Sequence, residues 1–312
     1  MSDLRAAIDV GTNSTRLIVV DGDGGTLARE MRITRLGKGV DDRGHLDDAA
    51  LERTLDTIRD YRDQWRDLGV DDGAVRIGAT SAVRDASDRD RFFDGVRELT
   101  GLEVDVLSGE EEAALSFLGA TAAVDARRPV VVLDIGGGST ELVAGNDEDE
   151  VVASYSMQLG SVRLTERILT DDPPTREQID AARQEVDERL TEADAALSDA
   201  GVEVVDAATL IAVAGTPTTV AALHLGLDTY EPEAIHGTVL PTMAAQELAG
   251  RLLATPVADR QELGPIQSGR EDVIAGGALI LAVVLERYGF PSAVISESDI
   301  LNGLAMSVDR NG

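Results

Sequence analysis

The chain carries the same loop twice. Residues 6–20 read AAIDVGTNSTRLIVV and residues 131–145 read VVLDIGGGSTELVAG. With an offset of 125 residues, Asp9 falls on Asp134, Gly11 on Gly136, Ser14 on Ser139, Thr15 on Thr140 and Leu17 on Leu142. Each copy is an apolar run, an acid, a Gly/Ser/Thr turn and a second apolar run, a pattern that predicts strand, tight turn and returning strand. Small residues in the turn let backbone N–H groups approach an anion closely, and the hydroxyls add donors. Either copy alone reads first as an ordinary hairpin whose glycines allow positive φ. Two copies matching in acid, glycine, serine and threonine predict two related domains that grip one phosphorylated ligand.

The segments around the two loops extend the pattern. A third strand is expected over Thr26–Thr34, followed by the glycine-rich loop RLGKGVDDRG at 35–44. A helix is expected from Asp47, its N-cap, to Leu68, with Leu51, Leu55, Ile58, Tyr61, Trp65 and Leu68 on one stripe. Residues 74–85 read as a strand running into a loop, 86–100 as a helix, and 102–124 as strand, cap and helix. The second unit repeats strand–loop–strand, then shows helices near 161–169 and from the PPT segment at 173–175 to Leu197. A buried strand breaking into a helix occupies 209–227, and further helices lie near 242–254 and 270–288. A short strand at 293–299 and a final helix at 300–308 close the chain. Strands and helices mixed in both halves predict α/β layering around two sheets.

Several residues could carry chemistry. Ser108-Gly109-Glu110-Glu111-Glu112-Ala113 sits where a strand becomes a helix. Ser108 and Glu111 have capping-box spacing, and Glu110 and Glu112 could merely complement the helix dipole. Glu112 lies one residue deeper and opens the apolar stripe Leu115, Phe117, Leu118, so it is also a candidate general base toward water. Asp9, Asp134 and Glu141 are the acids tied to the two loops; each could cap its turn or hold Mg²⁺ beside a phosphate. Arg16, which takes the place of Glu141 in the other copy, and Arg84 in TSAVRD are candidates for bidentate phosphoryl contacts. Gly215-Thr216-Pro217-Thr218-Thr219 is a third anion candidate at a helix start. His45, His224 and His236 show no ligand spacing to one another and are expected to be structural. No GxxxxGK[ST] P-loop and no G-x-G-x-x-G fingerprint occurs.

Composition narrows the class. At 312 residues the chain is long enough for two domains with their own cores. There is no run of about 18 apolar residues and no signal-like N-terminus, so a cytoplasmic protein without a membrane partner is expected. Zero cysteines exclude disulfides, thiolate metal sites and cysteine nucleophiles. Asp and Glu total 58 against 28 Lys and Arg, a formal net charge of −30, and Lys38 is the sole lysine. Such a charge repels itself in dilute buffer and is screened at molar salt, where the Debye length falls to about 3 Å, which predicts a halophilic source. No basic stripe exists to displace counterions from nucleic acid, so that partner is not expected.

The motifs DVGTNSTRL (9–17), TSAVRD (80–85), SGEEEA (108–113), LDIGGGSTEL (133–142), AGTPTTVAAL (214–223) and SESDILNG (296–303) together resemble the Ppx/GppA family of exopolyphosphatases and guanosine pentaphosphate phosphohydrolases. The resemblance runs from the first strand to the last helix. It implies an α/β fold of two ribonuclease-H-like domains of the actin-like ATPase superfamily, at 1–124 and 125–298, with an interdomain active-site cleft. The final helix, 299–312, is expected to pack back on the first domain. The resemblance is to the short, two-domain members, so the longer relatives' C-terminal helical domains are not expected.

Carried over by motif, Glu112 is the catalytic glutamate that activates water. Asp134 and Glu141, with Gly136, Gly137, Gly138, Ser139 and Thr140, match the phosphate and Mg²⁺ (or Mn²⁺) loop, and Asp9 is the matching acid of the other copy. Asn13, Ser14 and Arg16 match the opposing loop, Arg84 a substrate-phosphate contact, and Gly215 and Thr216 a further phosphate loop. Glu110 is an additional acid inside the catalytic motif, and Pro217 stands where small residues are common, which puts base contacts near that loop in doubt. The implied activity is release of terminal orthophosphate from linear polyphosphate, with the 5′ γ-phosphate of pppGpp as the alternative substrate and a homodimer by family analogy. A kinase of the same superfamily and a catalytically silent polyphosphate or nucleotide sensor are the other readings. SGEEEA argues for water as acceptor, and an intact Glu112 argues against a silent sensor.

Overall fold

The structure, a computed structural model, describes residues 4–308. The described chain divides into two compact units, one made of residues up to 119 and from 300 onward, the other of residues 120–299. In the first, β1 (Arg5–Val10), β2 (Ser14–Val20) and β3 (Thr26–Ile33) form an antiparallel meander, and β4 (Val75–Ala79) and β5 (Asp105–Val106) extend it in parallel on the β1 side. The sheet order is β3-β2-β1-β4-β5. The short helix α1 (Val40–Arg43) interrupts the glycine-rich loop. It is followed by α2 (Asp48–Asp67), α3 (Ser81–Asp85), α4 (Asp90–Thr100) and α5 (Gly109–Ala123). Asp47 caps α2 by accepting from the Ala50 amide at 3.0 Å. The α2 stripe then buries Leu51, Ile58, Tyr61 and Trp65 against Ile8, Val10, Leu17 and Val19 of the sheet.

The second unit repeats the plan. β6 (Val130–Ile135), β7 (Thr140–Gly145) and β8 (Val151–Met157) are the meander, and α6 (Ser161–Arg167) and α7 (Arg176–Asp199) follow. β9 (Thr209–Val213) joins β6 in parallel, then come α8 (Gly215–Leu225), α9 (Pro232–Ile235), β10 (Val239–Pro241), α10 (Thr242–Ala254), α11 (Ile274–Tyr288) and β11 (Ser292–Ile295). The order β10-β11-β9-β6-β7-β8 is that of the first sheet with β10 added at one edge. Two sheets with the first three strands antiparallel and the next two parallel are the ribonuclease-H-like arrangement that the motifs imply. Thr175 opens α7 with a capping box to Gln178, as the PPT segment leads one to expect. The apolar helix α11 is buried nearly all round, which matches its place in the middle of this unit's core.

The last helix, α12 (Ile300–Met306), belongs to the first unit: Ile300, Leu301, Leu304 and Ala305 pack with Ala7, Ile18, Val20, Leu107 and Leu115. Three local readings change. TSAVRD is not a loop, because residues 81–85 coil into α3, whose Val83 and Arg84 amides bond to the Thr80 carbonyl. Leu68 does not continue the α2 stripe: the helix ends at Asp67, Gly69 turns the chain away at φ +85°, and Leu68 is left partly exposed. The strand reading at 293–299 shortens to Ser292–Ile295. Among the described residues no helix is long and apolar enough to cross a membrane.

Candidate active site

The two repeated turns fold alike down to single hydrogen bonds. Gly11 N donates to the Ser14 carbonyl at 2.9 Å, and Gly136 N donates to the Ser139 carbonyl at 3.0 Å. The turn carbonyls are held from behind. The Thr12 carbonyl accepts from Gly37 N, and the Asn13 carbonyl accepts from Thr34 N and Arg35 N. In the second unit the Gly136 carbonyl accepts from Ser161 N, and the Gly137 carbonyl accepts from Val162 N and Arg163 N. Gly37 to Thr12 and Val162 to Gly137 are the same bond displaced by 125 residues. The Gly138 carbonyl accepts from Arg163 Nε at 2.7 Å. The amides of Gly137 and Gly138 bond to no backbone carbonyl among the described residues. Such a nest of N–H groups is suited to a phosphoryl group. Gly160 makes the second one possible, because a Cβ there would lie 2.4 Å from the Gly137 carbonyl carbon and oxygen.

Strand register decides what accompanies each turn. Asp9 and Arg16 are cross-strand partners, and Arg16 donates from Nε (2.9 Å) and Nη2 (2.7 Å) to Asp9 Oδ2. At the matching register in the second unit Asp134 faces Glu141, and Glu141 faces Ser156, whose hydroxyl donates to Glu141 Oε1 at 2.7 Å. A buried ion pair in one copy is therefore a buried pair of carboxylates in the other, with Asp134 5 % and Glu141 1 % exposed. Arg16 is thus Asp9's counter-ion in this structure, and the metal-ligand candidate and the phosphate-contact candidate of this turn meet each other. Thr140 alternates with Glu141 along β7 and so projects its side chain to the opposite face, with Leu142 and Ala144. It brings only its backbone to the turn.

Glu112 and Arg84 meet at the end of the first sheet. Arg84 Nη1 donates to Glu112 Oε2 at 3.0 Å and to the Leu107 carbonyl at 2.7 Å. Glu112 is 7 % exposed and stands in the first turn of α5, its amide bonded to the Ser108 carbonyl. Glu111 has the other role that SGEEEA offers. Ser108 N donates to Glu111 Oε2 and Glu111 N donates to Ser108 Oγ, the reciprocal capping box. The Ser108 amide holds the Glu111 carboxyl below the usual carboxylate range. Glu110 adds a third acid to the helix start, leaving Glu112 as the buried one. Asp9 is the penultimate residue of β1, and Arg84 and Glu112 follow the carboxyl ends of its parallel neighbours β4 and β5, the end of an α/β sheet where ligands bind.

The Gly215 segment is placed differently. Thr216 is buried with its side chain against Gly277 of α11, a packing position. Thr218 and Thr219 hydroxyls donate back to the Ala214 and Gly215 carbonyls. Gly215 itself lies under the Arg270 guanidinium, which fills the space a Cβ would take. Arg270, Arg163 and Ser156 were absent from the sequence-level candidates. Ser156 was legible in principle, as the β8 residue in register with Glu141; the two arginines sit far from any motif and left no signal. His236 is structural as expected. It accepts from Glu297 N at Nδ1 (3.2 Å), and its Nε2 lies 3.1 Å from the Ala123 carbonyl.

The Ppx/GppA phosphatase family model matches residues 8–307. The chain is 42 % identical to exopolyphosphatase 2 of Mycobacterium tuberculosis over 97 % of this chain and 98 % of that protein. Among solved structures, a Ppx/GppA family member from Aquifex aeolicus superposes with a TM-score of 0.81 at 28 % identity, covering 99 % of this chain and 98 % of that one. An exopolyphosphatase from Cytophaga hutchinsonii superposes with a TM-score of 0.88 at 25 % identity, covering 99 % and 100 %.

Proposed function

Because the chain belongs to the Ppx/GppA phosphatase family, we propose that it is an exopolyphosphatase that releases terminal orthophosphate from linear polyphosphate. The observation that carries the reading is Glu112: a buried carboxylate in the first turn of α5, fixed by Arg84 rather than used as a cap. Glu112 takes a proton from the water that attacks the terminal phosphorus. A P–O bond to that water oxygen forms as the bridging P–O bond breaks, and the shortened chain leaves with the bridging oxygen. Arg84, beside Glu112 in the same unit, stabilises charge on the equatorial phosphoryl oxygens, the main task in phosphoryl transfer.

We further propose Mg²⁺ as the cofactor, held by Asp134 and Glu141. The donor set fits. Two buried carboxylates in cross-strand register, one bonded to a serine hydroxyl, are oxygen ligands that call for a compensating cation. Among the described residues no cluster of three or more metal-ligating His, Cys, Asp or Glu side chains occurs. Mg²⁺ commonly uses one or two carboxylates and completes its shell with water and phosphate oxygens. When bound, the ion supplies positive charge to the phosphoryl oxygens.

The test is orthophosphate release from tripolyphosphate, long polyphosphate, pppGpp and ATP, with Mg²⁺ and without, at low and high KCl. Polyphosphate is expected to be the preferred substrate, and Glu112→Gln is expected to bind it while losing at least about a hundred-fold in turnover. Near-normal release by that variant would falsify the role of Glu112, and preferential use of pppGpp would replace the substrate.

A further inference from the structure

The only lysine of the chain stands beside the first phosphate turn. Lys38 follows Gly37, whose amide donates to the Thr12 carbonyl at 2.8 Å. Gly37 is wedged between two parts of the site: a Cβ there would lie 2.3 Å from Thr12 Cγ2 and 3.0 Å from Ala82 Cβ. Thr12 belongs to the turn, and Ala82 belongs to α3, the helix that carries Arg84. The backbone on both sides is fixed as well. Thr34 N and Arg35 N bond to the Asn13 carbonyl, Arg53 bonds to the Thr34 carbonyl, and Arg43 Nη2 bonds to the Lys38 carbonyl at 2.8 Å. The Lys38 side chain is exposed.

Its charge is the second observation. Acidic residues outnumber basic ones by 58 to 28, and in the same unit Arg32, Arg59, Arg62, Arg66, Arg76, Arg91 and Arg97 are each ion-paired. Lys38, like Arg53 and Arg89 of the same unit, has no acidic partner among the described residues, so no neighbouring carboxylate neutralises its ammonium. A rigidly mounted backbone thus presents a flexible stem with an ammonium at its tip. Lysine is a compact point charge, whereas arginine is a fixed fork. A point charge can follow phosphoryl groups of a polymer whose position changes each time a unit is removed.

Resting on the exopolyphosphatase reading, we infer that Lys38 is a substrate-binding residue that holds phosphoryl groups of the polyphosphate chain beyond the one being cleaved. It acts on affinity and leaves the chemical step alone. Lys38→Met is expected to raise KM for long polyphosphate roughly three- to ten-fold, with kcat within about two-fold of wild type. Lys38→Arg, which keeps the charge but not the compact head, is expected to restore KM only in part. An unchanged KM, or a loss confined to kcat, would overturn the inference.

A direct readout exploits the single lysine. Reductive methylation with ¹³C-formaldehyde labels only Lys38 and the terminal amine and keeps their charge. In the Glu112→Gln protein, where substrate persists, titrated tripolyphosphate should shift the Lys38 resonance saturably and leave the terminal one in place. A Lys38 resonance unmoved at concentrations that saturate wild-type turnover would refute contact. If wild type releases no phosphate from polyphosphate, the functional reading fails by itself, and the resonance still reports whether Lys38 meets the anion.

Discussion

At the scale of residues, the duplicated turn differs at one position that reverses its electrostatics. Arg16 turns Asp9 into half of an ion pair, and Glu141 turns Asp134 into half of a diacid. The positions were legible in the sequence, since the repeat aligns them. Their partnership was legible only through hairpin register, because residues equidistant from a turn become cross-strand neighbours. Motif matching assigns Arg16 and Asp9 separate ligands and misses that each first satisfies the other. The pair makes a sharp prediction. Arg16→Gln leaves the buried Asp9 carboxylate without its guanidinium and should cost about 3 kcal/mol in denaturant unfolding. Glu141→Gln removes one of two adjacent like charges and, in Mg²⁺-free buffer, should cost far less or stabilise. Equal losses in the two variants would show that Asp9 does not depend on Arg16.

At the scale of elements, helix starts were the most legible features. Asp47 and the PPT segment mark helix starts in the sequence, and Asp47 and Thr175 cap α2 and α7. The least legible were short pieces set by tertiary context. α3 has only five residues and no side-chain cap, and β8 mixes exposed valines with serines, so neither carries a periodic signal. At α5 the sequence left Glu111 and Glu112 open to either role, and packing separates them: Glu111 closes the cap at the surface and Glu112 turns inward to Arg84. Glu111→Ala should therefore lower stability by about 1 kcal/mol at pH 7 and leave Glu112 chemistry largely in place. The pH dependence follows from the Ser108 amide, which favours the ionised carboxylate and lowers its folded pKa below 4.5. That stabilisation is complete above the unfolded value and disappears as pH falls through the folded one. Thermal melts should show the wild-type advantage at pH 7 and its narrowing below about pH 4.5; an advantage independent of pH would mean that Glu111 acts by packing.

At the scale of the whole molecule, charge dominates. Every lysine and arginine could be paired and thirty formal negative charges would still lack a partner. The ion pairs that form are mostly exposed arginine–carboxylate contacts, each worth at most about 1 kcal/mol. They do not offset repulsion summed over so many unmatched acids. Folding concentrates these charges relative to the extended chain, so the repulsion opposes the native state, and added salt should relieve it. The expected result is a melting temperature that rises steeply with KCl from about 0.1 M and flattens near 1 M, where the Debye length reaches about 3 Å. Flattening is the diagnostic part. Salt acting through exclusion from apolar surface would keep raising stability beyond that point and would rank sulfate above chloride at equal ionic strength. The same screening governs entry of a polyanionic substrate, so KM for polyphosphate should fall over the same KCl range even though salt weakens each local arginine–phosphate contact. Full stability and unchanged KM at 0.1 M would show that the acidic surface is neutralised locally and sets neither property.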